Sequence, residues 1–127
     1  MKIIATNSSL VFRTPTPPTE MFSYTLNAGS NGSLLSEKSI STLTSEGVDM
    51  TRVLIKYDIL SGTETRHKIN VYGRNSVSDQ QKFAELAYGT MSEEIDFTGY
   101  SSLFTYVQDG CSNDFSVKVT LYNYVTP

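Results

Sequence analysis

Residues 52 to 60, RVLIKYDIL, alternate without a break: Val53, Ile55, Tyr57 and Ile59 share one parity, and Arg52, Lys56 and Asp58 the other. Successive side chains of a strand point to opposite faces, so this pattern calls for a strand with one buried and one wet face. Residues 66 to 72, RHKINVY, alternate in the same way, with His67, Ile69 and Val71 on one face. The intervening SGTET reads as a turn. A hairpin symmetric about Thr63 would set Ile55 opposite Val71, Tyr57 opposite Ile69 and, on the outer face, Asp58 opposite Lys68, a favourable cross-strand charge pair.

The same device recurs near the C terminus, where SLFTYVQ and DFSVKVTLYNYV flank Asp109, Gly110, Cys111, Ser112 and Asn113. Symmetry about Cys111 would place Leu103, Thr105 and Val107 opposite Val119, Val117 and Phe115. Phe104, Tyr106, Ser116 and Lys118 would then lie on the other face.

Weaker strands precede these. MFSYTLN (21 to 27) alternates with Phe22, Tyr24 and Leu26 inward, EKSISTLT (37 to 44) is a mostly polar strand candidate, and KIIATN with SLVFR forms one interrupted strand. The prolines of TPTPPTE (14 to 20) exclude a central strand and make a stiff connector. NAGSNGS (27 to 33) reads as a loop. One helix is predicted from Ser78 to Tyr88: Ser78 as N-cap, Gln81 three residues on, Phe83, Leu86 and Ala87 on one stripe, and Gly89 as stop. About eight short strands with at most one short helix predict an all-β fold, an antiparallel β-sandwich of jelly-roll type, with a small closed barrel as the alternative.

The 127 residues suit one domain, 1 to 127, with an extended N-terminal segment to about residue 20 that is available for partner contacts. Ser and Thr make up about a quarter of the chain, as β-rich proteins with wet surfaces require. Ten basic residues are scattered against thirteen acidic ones, for a net charge of −3, and only Arg66, Lys68 and Arg74 cluster, which argues against a nucleic-acid partner. Lys2 is followed by only three apolar residues before Thr6, so a secretory leader is not expected. No window approaches the roughly 20 apolar residues of a membrane span. The single Cys111 precludes an internal disulfide and fits synthesis in a reducing cytoplasm.

Chemistry finds few footholds. His67 is the one histidine and reads as a strand residue, and Cys111, at a loop tip, would need a base within reach to act as a nucleophile. One His and one Cys cannot furnish a usual zinc site. Glu93, Glu94 and Asp96, or Asp109, Asn113 and Asp114, offer oxygens to calcium, but neither group follows an EF-hand and each reads as solvated turn residues. No nucleophile elbow, phosphate-binding loop or dinucleotide fingerprint occurs. The expectation is a non-enzymatic protein with no catalytic residue, no cofactor and no metal.

The aromatic residues are more informative. Phe104 and Tyr106 share one face of a strand, and Tyr122 and Tyr124 continue the spacing near the C terminus. Such residues offer apolar area with a polar hydroxyl, suited to a protein interface or to stacking on a carbohydrate. These four form the candidate interaction surface.

IDFTGYSSLFTYV, through Asp96, Phe97, Thr98, Gly99 and Tyr100, resembles the entry to a strand in galactose-binding-like jelly rolls, a group that includes carbohydrate-binding modules. The whole chain, short, all-β and rich in Ser, Thr, Asn and Tyr, resembles small auxiliary capsid and head-fibre proteins of crAss-like tailed phages. The second resemblance implies a viral structural protein made in the host cytoplasm and carried in the virion. As a capsid decoration component it would bind the major capsid protein or neighbouring copies and form a homo-oligomer.

Overall fold

The computed structural model describes residues 16–27, 34–61, 68–107 and 116–125. They form β1 (Thr19–Asn27), β2 (Leu34–Ser39), α1 (Ile40–Ser45), β3 (Leu54–Ser61), β4 (Lys68–Ser76), β5 (Asp79–Ala87), β6 (Ser102–Val107) and β7 (Ser116–Asn123). A three-stranded sheet runs in the order β1-β7-β3, a four-stranded sheet in the order β2-β6-β4-β5, and every pairing is antiparallel.

The eighth strand of a jelly roll is present in reduced form. Residues 89 to 95 lie along the outer edge of β3, bridging Val53 to Ile95 and Lys56 to Met91. Val53 and Ile95 exchange backbone bonds of 3.0 and 2.8 Å, Ser92 N–H donates to Ile55 O (2.8 Å), and Gly89 N–H donates to Tyr57 O (2.7 Å). The sheets thus have four positions each, and the chain crosses between them as a jelly roll does.

Inward residues from both sheets build one interior. Ile55, Tyr57, Val117, Val119 and Leu121 of the three-stranded sheet and Ile69, Val71, Leu103 and Val107 of the four-stranded sheet have no exposed surface. At about 25 cal/mol per Å² of apolar surface, burial of this kind is the main force holding the sheets together.

Both predicted hairpins are corrected. β3 pairs with β7 and β4 pairs with β5 and β6, so Asp58 lies opposite Lys118, not Lys68. Likewise β6 pairs with β2 and β4, whereas β7 lies between β1 and β3. Val119 faces Tyr24 and Tyr57 across its two ladders, and Leu103 faces Lys38 and Gly73. An arch that carries the chain from one sheet to the facing one needs the same inward parity on both strands as a hairpin does. Alternation reports the face a residue occupies, not the strand beside it.

The predicted helix at Ser78 to Tyr88 is strand β5, joined to β4 by a tight turn at Val77 and Ser78. Its ladder skips Phe83: Val71 faces Ala84, and Tyr72 faces Lys82. The bulge shifts the parity by one, so apolar residues fall at a spacing that imitates a helical stripe. The helix lies instead in EKSISTLT. Ser39 ends β2 and caps α1, its hydroxyl accepting from Thr42 N–H at 3.4 Å. Gly47, at φ +98°, ends α1: Gly47 N–H donates to Thr44 O (3.0 Å) and Val48 N–H to Leu43 O (3.1 Å), while Leu43 and Val48 are buried.

Candidate functional site

The outer face of the four-stranded sheet carries three transverse rows. Leu35, Tyr106, Asn70 and Glu85 form one, Glu37, Phe104, Tyr72 and Lys82 the next, and Ser39, Ser102, Arg74 and Gln80 the third. In the middle row, Phe104 packs against Tyr72, with centroids 5.9 Å apart, and Tyr106 stacks beside it at 6.3 Å and 14°. The Arg74 guanidinium lies 3.5 Å from the centroid of Phe104. Arg74 is held by Gln80 through Nε (2.8 Å) and by the Glu37 carboxylate (3.7 Å), and Ser102 Oγ donates to the same carboxylate at 2.6 Å. A guanidinium over an aromatic face is favourable by about 0.5–1 kcal/mol at an exposed site and more when desolvated.

This clasp roofs one end of the aromatic row, and Phe104 is left only 8% exposed. The other end is open. Leu35 is 57% exposed on the edge strand β2, beside a half-buried Tyr106.

The four predicted surface residues do not form one patch. Phe104 and Tyr106 lie on the outer face of the four-stranded sheet, whereas Tyr122 is half-buried on the outer face of the three-stranded sheet, opposite Leu54, and Tyr124 is exposed beyond the end of β7. Sequence reading missed Leu35, Tyr72 and Arg74. Strand pairing brings them beside Phe104 and Tyr106; the period-two spacing of Tyr72 and Arg74 in KINVYGR was an available signal, whereas Leu35 lies outside that stretch, on β2.

His67, Cys111, Asp109, Asn113 and Asp114 lie outside the described residues. Among those described, no group of three or more His, Cys, Asp or Glu side chains could hold a metal ion. No helix among them is long and apolar enough to cross a membrane.

A second concave feature lies at one end of the sandwich, where α1 meets two turns of the same design. In Asp49-Met50-Thr51, Asp49 Oδ1 accepts from Thr51 N–H (3.0 Å) and Thr51 Oγ1 (2.6 Å); in Asp96-Phe97-Thr98, Asp96 Oδ1 accepts from Thr98 N–H (2.9 Å) and Thr98 Oγ1 (2.6 Å). These bonds hold both carboxyls below their usual pKa. Phe97 N–H joins the turns through Met50 O at 2.9 Å.

Each turn is pinned by an asparagine. Asn123 on β7 accepts from Asp49 N–H (2.7 Å) and donates to Asp49 O (3.0 Å); Asn75 on β4 donates to Gly99 O (2.9 Å) and accepts from Ser101 N–H (2.8 Å). Tyr100 closes the second turn, its N–H donating to Phe97 O at 3.1 Å. Its hydroxyl donates to Gln81 at 2.9 Å, and its ring meets the edge of Phe83, with centroids 5.7 Å apart at 88°. The hollow between α1 and the two turns measures about 320 Å³ and adjoins a second of about 520 Å³, sharing Ile40, Thr44 and Tyr100.

No family model matches the chain, and no curated protein matches it. A solved structure, the crystal structure of SPBc2 prophage-derived protein YomS, is similar to it with a TM-score of 0.46 and 18% sequence identity. The similarity covers 87% of this chain and 99% of that one.

Proposed function

We propose that the chain is a non-enzymatic structural or decoration protein of a phage particle, working through contacts with other virion proteins or neighbouring copies of itself. The observation that carries this reading is the outer face of the four-stranded sheet, where the packed rings of Tyr72, Phe104 and Tyr106 span two neighbouring rows and Tyr106 adjoins exposed Leu35 on an edge strand. Rigid aromatic residues lose little side-chain freedom on docking, and aromatic residues together with arginine are enriched at interface centres. The jelly roll supports the reading as a scaffold common in capsid proteins. Phe104 acts as the support of the surface, and Leu35, Tyr106 and Tyr72 as its contacts.

Proteomics of purified particles of the encoding phage tests the proposal. The chain should be present at a fixed ratio to the major capsid protein, and Leu35→Glu with Tyr106→Ala should reduce its incorporation at least tenfold without unfolding it. Absence of the chain from particles, or normal incorporation of the double variant, would overturn the reading.

A further inference from the structure

The hollow beside α1 is distinct from the proposed contact face, and its chemistry is strongly biased. Val48, Met50 and Phe97 form an apolar floor with less than 5% exposure each. Apart from Ser39 and Ser41, whose hydroxyls share one bond of 2.9 Å beside the second hollow, the hydroxyls around it have committed their protons: Thr44 Oγ1 donates to Ile40 O (2.8 Å), Thr51 Oγ1 to Asp49, Thr98 Oγ1 to Asp96, and Ser101 Oγ to Arg74 O (3.2 Å). What each can still offer is an oxygen lone pair. The bonds recorded for the Asp49 carboxylate fall on Oδ1, which leaves Oδ2 to accept, and no Lys or Arg lines either hollow.

A rim of acceptors with a carboxylate and no cation repels phosphates, sulfates and carboxylates and favours a ligand that donates many hydrogen bonds. Tyr100 adds a rigid aromatic wall. Phe83 supports its ring from the side, Gln81 holds its hydroxyl, and Gly73 leaves it room: a Cβ there would stand 2.8 Å from Tyr100 Cδ2. The two adjoining hollows make the site elongated.

From this geometry we infer that the groove between α1 and the twin Asp-x-Thr turns binds a neutral oligosaccharide, with a sugar ring against Tyr100 and its hydroxyls donating to Asp49 Oδ2 and the rim oxygens. Neutral sugars have the required apolar ring faces and many hydroxyl donors, and a chain of them suits an elongated cleft. The site is independent of the contact face, so either reading can fail alone.

The test is a titration of the isotopically labelled protein with maltohexaose, cellohexaose, chitohexaose and mannohexaose, followed by NMR and repeated with heparin hexasaccharide and a Lys-rich peptide. At least one neutral sugar should bind, with amide shifts concentrated at Thr44, Thr51 and Tyr100. Tyr100→Ala should weaken binding at least tenfold. Asp49→Asn, whose carbonyl can still accept from Thr51, should weaken it several-fold by placing an amide donor at Oδ2. Leu60→Ser, at the opposite end of β3, should leave it unchanged. The inference is overturned if none of the four sugars binds, if shifts map to Tyr106 or Tyr122, if both groove variants bind normally, or if only heparin or the peptide occupies the groove.

Discussion

Tyr24 Oη and Thr105 Oγ1 lie 3.0 Å apart inside the sandwich, one on β1 of the three-stranded sheet and the other on β6 of the four-stranded sheet. Lys38 Nζ sits 5.0 Å above the Tyr24 ring, its stem covering the edge of the interior. Stability is therefore sensitive to a polar contact between two otherwise apolar layers. Thr105→Val keeps the shape and orphans the phenol, so it should destabilise by about 1–3 kcal/mol in urea denaturation. Adding Tyr24→Phe to Thr105→Val should recover part of that loss, because no buried hydroxyl then lacks a partner.

The same tyrosine sets an alkaline limit. Burial pushes the Tyr24 phenol well above its ordinary value of 10.0, while Thr105 partly opposes the shift. With the folded value above the unfolded one, the stabilisation is fully present below about pH 10 and falls as pH rises toward the folded value. Tyr24→Phe should show a shallower loss of stability above pH 10 in unfolding curves, even if it is less stable at pH 7.

The acid limit has the opposite sign. Thr51 and Thr98 hold the carboxyls of Asp49 and Asp96 below their usual range, so the contribution is present above about pH 4 and disappears as pH drops through the folded values. In Thr51→Val and Thr98→Val the acid-unfolding midpoint should lie closer to neutrality, as read by circular dichroism between pH 2 and 6. An unchanged midpoint in both would remove the turns from the acid response.

Gly73 is a packing requirement. A Cβ there would meet Phe83 Cε2 at 2.6 Å and Tyr100 Cδ2 and Cγ at 2.8 and 2.9 Å, so two rings would have to move. Gly73→Ala should cost about 1–3 kcal/mol, the usual range for overpacking, and Phe83→Leu in the same chain should relieve part of it. Thermal unfolding of the wild type and the two variants checks this.

Strand order can be tested with engineered cysteines in a Cys111→Ser background. Asp58 and Lys118 are direct cross-strand partners, so Asp58→Cys with Lys118→Cys should oxidise to a disulfide in the folded protein. Asp58→Cys with Lys68→Cys should stay reduced, because those residues belong to different sheets. Mass spectrometry after mild oxidation distinguishes the outcomes, and the reverse pattern would restore the hairpin.

Strand faces were legible in the chain, whereas strand neighbours were not. Val53, Ile55 and Tyr57 announce an inward parity that the fold preserves. Nothing local to RVLIKYDIL specifies that its neighbour is β7, about 60 residues on, since a turn within a sheet and an arch between sheets impose the same alternation. Phe83 misled because a bulged strand and a helix can share an apolar spacing. The short helix did leave signals, Ser39 as cap and Gly47-Val48 as stop, but its polar exposed face concealed them. The groove was the least legible part: Thr44, Asp49 and Tyr100 come from segments that only the closed sandwich brings together.

The placement of β7 between β1 and β3 determines when the molecule can exist during its synthesis. Until Ser116 to Asn123 have emerged, two strands of one sheet have no ladder between them, and the facing sheet lacks the cover of Val117, Val119 and Leu121. Long-range pairing of this kind makes folding slow and late. A ribosome-bound chain halted before residue 116 should be readily digested by protease, with resistance appearing only after the last strand is released from the exit tunnel.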